Sequence, residues 1–202
     1  MATGKKIEMG QSAQAKVIDG VKKAVDSIKV TLGPAGKSVA IANDFGGSPE
    51  ITRDGATVAK TITLSDPEMN IGAQLVKSAA QLTEEQAGDS TSTTAILIKE
   101  MCLKGQKALN AGANVNEIKS GMLKAGEKVV DYIKDVAIKV DGDLEKIRRV
   151  ATISANNDPK VGNLVVECME KVGIDGVITA DLASGLDTVI DVTTGMKINR
   201  GW

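Results

Sequence analysis

The chain contains no histidine. Ser-His-Asp and Cys-His nucleophilic catalysis are therefore excluded, and so are the common histidine-bearing zinc sites. Aromatic residues are almost as scarce: Phe45, Tyr132 and Trp202 are the whole set. A core must then be assembled from Val, Ile, Leu, Ala and Met, and a stacking platform for single-stranded nucleic acid lacks its rings. The two cysteines, Cys102 and Cys168, form no CxxC and sit in apolar helical patterns, so they read as buried, reduced thiols. A net charge of −1 with no long block of one sign leaves no basic face for DNA. No segment approaches the ~20 apolar residues of a membrane span. The opening MATGKKIEMGQSAQAK has no apolar run long enough for a signal peptide. These absences lead to the expectation of a soluble, cytoplasmic chain with neither nucleic acid nor membrane as partner.

What is present suits a folded protein. At 202 residues and 42% hydrophobic content the chain suggests one or two domains with a real core. Val17, Val21, Ala24, Val25 and Ile28 fall at helical spacing, so residues 12–30 read as an amphipathic helix. Thr31-Leu32-Gly33-Pro34 stops it. Residues 39–42 and 49–52 read as two short strands around the Asp44-Phe45-Gly46-Gly47 turn. Arg53-Asp54-Gly55 turns into a short helix at 56–61. A longer helix at 69–86 carries a stripe of Ile71, Leu75, Ala79 and Leu82. The next, from Ser90 to about 109, is expected to bury Ile98, Met101, Cys102 and Leu109. After Ala111-Gly112-Ala113-Asn114 a further helix presents Ile118, Met122, Ala125, Val129 and Ile133. Beyond residue 137 a short helix holds Leu144, Ile147 and Ala151, and Asp158-Pro159 starts another with Val161, Leu164, Val165, Cys168 and Val172 on one side. From Gly176 the pattern turns β-like, at Val177–Thr179 and Thr188–Val192. The expected architecture is a mostly helical body followed by a smaller α/β part.

Three turns carry possible chemistry. Gly33-Pro34-Ala35-Gly36-Lys37-Ser38 looks like a phosphate-binding Walker loop, but that motif needs glycine where Thr31 stands, and this turn leads from a helix into a strand. Its glycines still permit a backbone anion nest, with a plain helix-terminating turn as the alternative. Ala87-Gly88-Asp89-Ser90-Thr91-Ser92-Thr93-Thr94 sets one carboxylate and five consecutive hydroxyls at the start of a helix. A helix start attracts anions through its unpaired N–H groups, and one carboxylate beside phosphates suits Mg²⁺. One hydroxyl would suffice as a cap; a Thr-rich cap and a phosphate cradle both remain open. Thr52-Arg53-Asp54-Gly55 adds a cation and a second acid, completing a parts list for a magnesium nucleotide site if the three turns converge.

In that order, TLGPAGKSVAI, ITRDGATVAK, NIGAQLVKSAA, AGDSTSTTAIL, ISANNDPKVGNLV, GVIT and TGMKINRGW resemble the group I chaperonins, the GroEL type, from about residue 6 to Trp202. The resemblance implies a multi-domain fold: residues 1–136 as the first half of an equatorial ATP-binding domain, a helical bundle with a β-hairpin; 137–193 as the ascending part of an intermediate hinge domain; and 194–202 as the start of an apical domain. It implies ATP and Mg²⁺ as cofactors. Thr31, Leu32, Gly33 and Pro34 would lie along the nucleotide, and Arg53, Asp54 and Gly55 would face the γ-phosphate, with Asp54 as the catalytic group that helps place water. Asp89 would bind the metal, Ser90, Thr91, Ser92 and Thr93 would cradle phosphate, and Ile153 and Ser154 would lie near the nucleotide. Gly195 would be the upper hinge, and Trp202 falls where the family has a tyrosine of the polypeptide-binding surface.

Several positions depart from the family pattern. GDSTST stands for GDGTTT, so Ser90 replaces a glycine; Ala35 replaces a lysine, Arg53 another lysine, and Val140 a hinge proline. The resemblance places a second catalytic aspartate outside these 202 residues, which implies weak turnover by this chain alone. The expected function is an ATP-dependent chaperone subunit that binds unfolded polypeptide in a ring of its own copies, with a GroES-type co-chaperonin. The alternative is a non-catalytic module that associates with other chaperonin chains.

Overall fold

A computed structural model of the chain describes residues 7–43, 46–181, 185, 188–193 and 195. The expectations for Asp44, Phe45 and Trp202 lie outside those residues. The chain divides into two compact units, Met1–Val136 and Ala137–Trp202.

The first unit is built on helix α1 (Gly10–Ile28), whose buried face is Gly20, Val21, Ala24, Val25 and Ile28. A 3-10 turn, Lys29–Thr31, ends it, and Leu32 leaves in extended conformation. Strands β1 (Val39–Ile41) and β2 (Glu50–Thr52) pair antiparallel, with Ala40 opposite Ile51. Three helices follow: α2 (Gly55–Thr61), α3 (Pro67–Ala87) and α4 (Thr91–Asn110). Asp66 caps α3 by accepting from the Met69 N–H at 2.9 Å, with Pro67 in the first turn. Gly88, at φ +71°, closes it by donating to the Glu84 carbonyl. The core draws Val21, Ala24, Val25 and Ile28 from α1, Val58 and Ala59 from α2, Ala73, Val76 and Ala80 from α3, and Ala95 from α4.

The buried stripe of α3 is not the expected one. Ile71, Leu75 and Leu82 are exposed, while Gly72, Ala73, Val76 and Ala80 face inward. The reason is the closeness of α1. A Cβ on Gly72 would stand 1.9 Å from the Val17 carbonyl oxygen, and one on Gly20 would stand 1.8 Å from that of Met69. Two backbones that touch through glycines admit only small side chains along the seam, so the larger residues turn outward. On α4, Met101 is likewise exposed, while Ile98, Cys102 and Leu109 are half-buried.

Helix α5 (Val115–Val136) starts at Asn114, whose side chain accepts from the Asn116 N–H at 2.8 Å. Its expected stripe is not covered: no residue of this helix is buried, and Met122, Val129 and Ile133 are exposed. An amphipathic helix finds a stable place only by covering its apolar stripe, and the described residues of the first unit leave all of this stripe but the half-buried Ile118 exposed.

The second unit contains α6 (Leu144–Ser154) and α7 (Pro159–Val172). Asp143 and Asp158 cap them, and Pro159 opens the second, as its sequence signal predicted. The helices meet at Gly162, where a Cβ would stand 2.1 Å from Thr152 Oγ1. Gly162 and Val166 are buried, whereas Val161 is exposed. Val177–Thr179 and 188–192 carry the β pattern but form no strand among the described residues. A strand is a paired state, and period-2 patterning has no effect without a neighbouring edge. Both cysteines are free and half-buried, and burial raises the Cys102 thiol pKa.

Candidate functional site

Each of the three turns singled out from the sequence ends or begins a helix of the first unit, and packing brings them together. Thr31 Oγ1 lies 3.2 Å from Ser92 Oγ, across 61 positions of sequence. Gly55 packs on the same pair: a Cβ there would stand 2.0 Å from Ser92 Oγ and 3.3 Å from Thr31 Oγ1. Arg53 donates through Nη2 to the Gly36 carbonyl, which ties the Arg53-Asp54-Gly55 turn to the Gly33–Lys37 turn. Thr31, Gly33, Gly36, Arg53, Gly55 and Ser92 thus belong to one neighbourhood.

The Gly33–Lys37 turn is closed by its own backbone. Gly36 N–H donates to the Gly33 carbonyl at 2.9 Å and Lys37 N–H to that of Val30 at 2.7 Å. Gly33 sits at φ +79°, and a Cβ on Gly36 would reach within 2.2 Å of the Thr31 carbonyl oxygen. Both glycines are therefore required by the turn itself. Leu32 is half exposed beside it.

Asp54 caps α2. Its Oδ1 accepts from Ala56 N–H at 3.2 Å, and its Oδ2 from Thr57 N–H at 2.8 Å and Thr57 Oγ1 at 2.7 Å. Burial pushes this carboxyl up, but the Thr57 and Ala56 hydrogen bonds, with the charge of Lys60, outweigh it and hold the pKa below the ordinary value. Thr52 Oγ1 accepts from Asp54 N–H at 3.0 Å. Thr52 and Thr57 therefore grip Asp54 from both sides. Sequence reading named Thr52 only as part of the turn and passed over Thr57; the signal for Thr57 was Asp followed by Thr three positions later, a capping spacing.

The hydroxyl run divides by role. Ser90 sits at the cap position of α4 in left-handed conformation, φ +70°, and its side chain caps nothing. The capping reading of this run therefore fails at the residue best placed to cap. A non-glycine residue in that region costs about 1–2 kcal/mol, which is the strain expected where serine occupies a glycine's position. Thr91 is 6% exposed. Ser92 meets Thr31, and Thr94 Oγ1 lies 3.2 Å from Thr83 Oγ1, which itself donates to the Ala79 carbonyl. Ser90 and Thr93 remain exposed, beside exposed Asp89, whose Oδ1 accepts from Ser90 N–H. The Ser90 side chain thus leaves the N–H groups of the first α4 turn without the hydrogen bond that a cap residue ordinarily accepts.

Among the described residues no three acidic, Cys or His side chains group as a metal cage. Ile153 and Ser154 end α6 in the second unit, and both are exposed. A groove of about 280 Å³ between α1 and α4, lined by Ile18, Asp19, Lys22, Leu103 and Gln106, contains none of the turn residues.

Comparison with solved structures places this architecture among the chaperonins. Chaperonin gp146 from the bacteriophage EL 2 (Pseudomonas aeruginosa), in presence of ATP-BeFx, is similar in two crystal forms. Form II is 29% identical with a TM-score of 0.65, over 78% of this chain and 28% of that one. Form I is 28% identical with a TM-score of 0.68, over 80% and 28%. A group III chaperonin in the open state shares the fold at 24% identity and a TM-score of 0.67, over 81% and 32%. The TCP-1/cpn60 chaperonin family model matches residues 25–202, and the chain belongs to that family. It spans about a third or less of the length of those two chaperonins. Among the described residues no helix is long and apolar enough to cross a membrane.

Proposed function

We propose that the chain is the N-terminal portion of an ATP-driven chaperonin subunit, which binds unfolded polypeptide and promotes its folding in a ring of like subunits with a GroES-type co-chaperonin. Residues 1–136 would serve as the equatorial nucleotide domain, 137–193 as the intermediate hinge and 194–202 as the start of the apical domain. The observation that carries this reading is the meeting of Thr31, Gly55 and Ser92, which gathers three backbone bends at the start of α4.

In this reading Thr31, Leu32, Gly33 and Pro34 flank the nucleotide, and the N–H groups of Thr91, Ser92 and Thr93, with the exposed Ser90 hydroxyl, receive phosphate oxygens. Asp89 would hold Mg²⁺, which when bound neutralises phosphate charge. Arg53 fixes the Gly33–Lys37 turn through the Gly36 carbonyl. Asp54, kept ionised by its hydrogen bonds, can accept a proton-bearing water and orient it. Ile153 and Ser154 would approach the nucleotide from the intermediate domain. Support for nucleotide use comes from the ATP-BeFx present with the phage relative.

Calorimetric titration of the 202-residue chain with Mg-ATP tests this. Binding heat is expected. Asp89→Ala should weaken affinity by at least about tenfold, since a contact to a charged group is worth about 1.5–3 kcal/mol. No heat from the parent chain would leave the second reading, a non-catalytic module that associates with other chaperonin chains. The uncovered apolar face of α5 favours that second reading.

A further inference from the structure

The Thr31–Ser92 contact has a determined direction. Thr31 Oγ1 donates to the Ile28 carbonyl at 2.9 Å, and a carbonyl cannot return a proton. A hydroxyl carries one hydrogen, so the 3.2 Å bond between the two side chains is made by the Ser92 proton. Ser92 Oγ is also packed onto Gly55, in the space a Cβ would fill. Its single donor is therefore spent inside the protein, on the residue that ends α1.

We propose that Ser92 is a positioning residue: its hydroxyl locks the first turn of α4 to Thr31 and Gly55, and it does not itself donate to phosphate. The lock runs in series, from the Ile28 carbonyl through Thr31 Oγ1 to Ser92 Oγ, and so joins the end of α1 to the start of α4. The phosphate-facing donors of this end are then the α4 N–H groups and the exposed hydroxyls of Ser90 and Thr93. This assignment rests on the nucleotide reading above for its purpose, but the lock itself exists without nucleotide.

The test uses the full chain and two measurements. In nucleotide-free protein, amide hydrogen exchange is followed at Lys37, bonded to Val30, and at Thr94, bonded to Ser90. Ser92→Ala and Thr31→Val should each speed exchange at both amides by about fivefold, the worth of one ordinary hydrogen bond. The double variant should add nothing further. Thr31→Ser keeps the hydroxyl and should retain the parent's protection, which separates loss of the bond from loss of shape. Unchanged exchange in Ser92→Ala, or effects of the two single variants that multiply in the double, would overturn the proposal. The second measurement is Mg-ATP affinity in the same set. Equal losses in Ser92→Ala and Thr31→Val, not compounded in the double, support positioning; a loss confined to Ser92→Ala points to direct donation and overturns it. Should the parent bind no Mg-ATP, the nucleotide reading fails while the exchange experiment still decides whether the lock exists.

Discussion

Replacing Gly55 by alanine perturbs the meeting point of the three turns with one methyl group. The added Cβ would stand 2.0 Å from Ser92 Oγ, a separation that cannot persist, and 3.3 Å from both Ser92 Cβ and Thr31 Oγ1, which is tight but tolerable. Relief is cheap, because Ser92 Oγ moves away by one rotation about its own side-chain bond. That rotation breaks the bond to Thr31 and costs about 0.5–1.5 kcal/mol. Against it, Gly55 has no positive φ, so alanine fits its backbone and reduces the freedom of the unfolded chain by about 0.4–1 kcal/mol. The two terms nearly cancel. Urea unfolding followed by helical circular dichroism should therefore show a stability within about 1 kcal/mol of the parent, while the Thr94 amide loses protection and Mg-ATP affinity falls. A loss of several kcal/mol would mean that Ser92 cannot turn aside. Full protection at Thr94 with affinity intact would mean that the three bends do not meet, and the site described above would fall with them.

Gly20→Ala is expected to behave differently, because its Cβ meets the Met69 backbone at 1.8 Å and no side-chain rotation relieves it. A loss of about 1–3 kcal/mol or more in urea should follow as α1 and α3 are forced apart; parent-like stability would refute the close crossing. Acid should destabilise the first unit. Asp54 and Asp26 both have pKa values below the ordinary carboxylate value, Asp54 through Thr57 and Ala56 against the opposing effect of burial, and Asp26 through Lys29 and Lys99. A depressed folded pKa adds stability that is complete above the unfolded value of about 3.9 and is lost as pH falls through the folded value. Asp54→Asn should flatten that acid limb in a pH series of urea midpoints, and an unaltered limb would show that Asp54 is not held ionised. Val129→Gln on α5 should change stability by no more than about 0.5 kcal/mol, since its side chain is already 55% exposed. The same change should reduce binding of a hydrophobic dye; a large destabilisation would show that this face is covered.

Local sequence was sufficient wherever the deciding interaction spans a few residues. Asp158-Pro159 opened α7, Asn114 opened α5 and Pro34 followed the end of α1, because caps and breakers act on their own turn of backbone. The motif order pointed to the chaperonin family for a similar reason: each motif is a short string whose chemistry is local. Which face of a helix is buried is another matter. Ile71, Leu75 and Leu82 made the more apolar stripe of α3, yet Gly72, Ala73, Val76 and Ala80 face the core, since a neighbouring backbone at glycine-to-carbonyl distance leaves room only for small side chains. Periodicity records that a face exists and carries no information about what approaches it. The β-patterned residues after Gly176 make the same point, as pairing is a property of two segments. The candidate site shows both halves together. Its residue types and its anion-seeking helix start could be read from the string, but the contact of Thr31 with Gly55 and Ser92 arises from the packing of α1, α2 and α4. The direction of the Ser92 proton then follows only from knowing where Thr31 had already given its own.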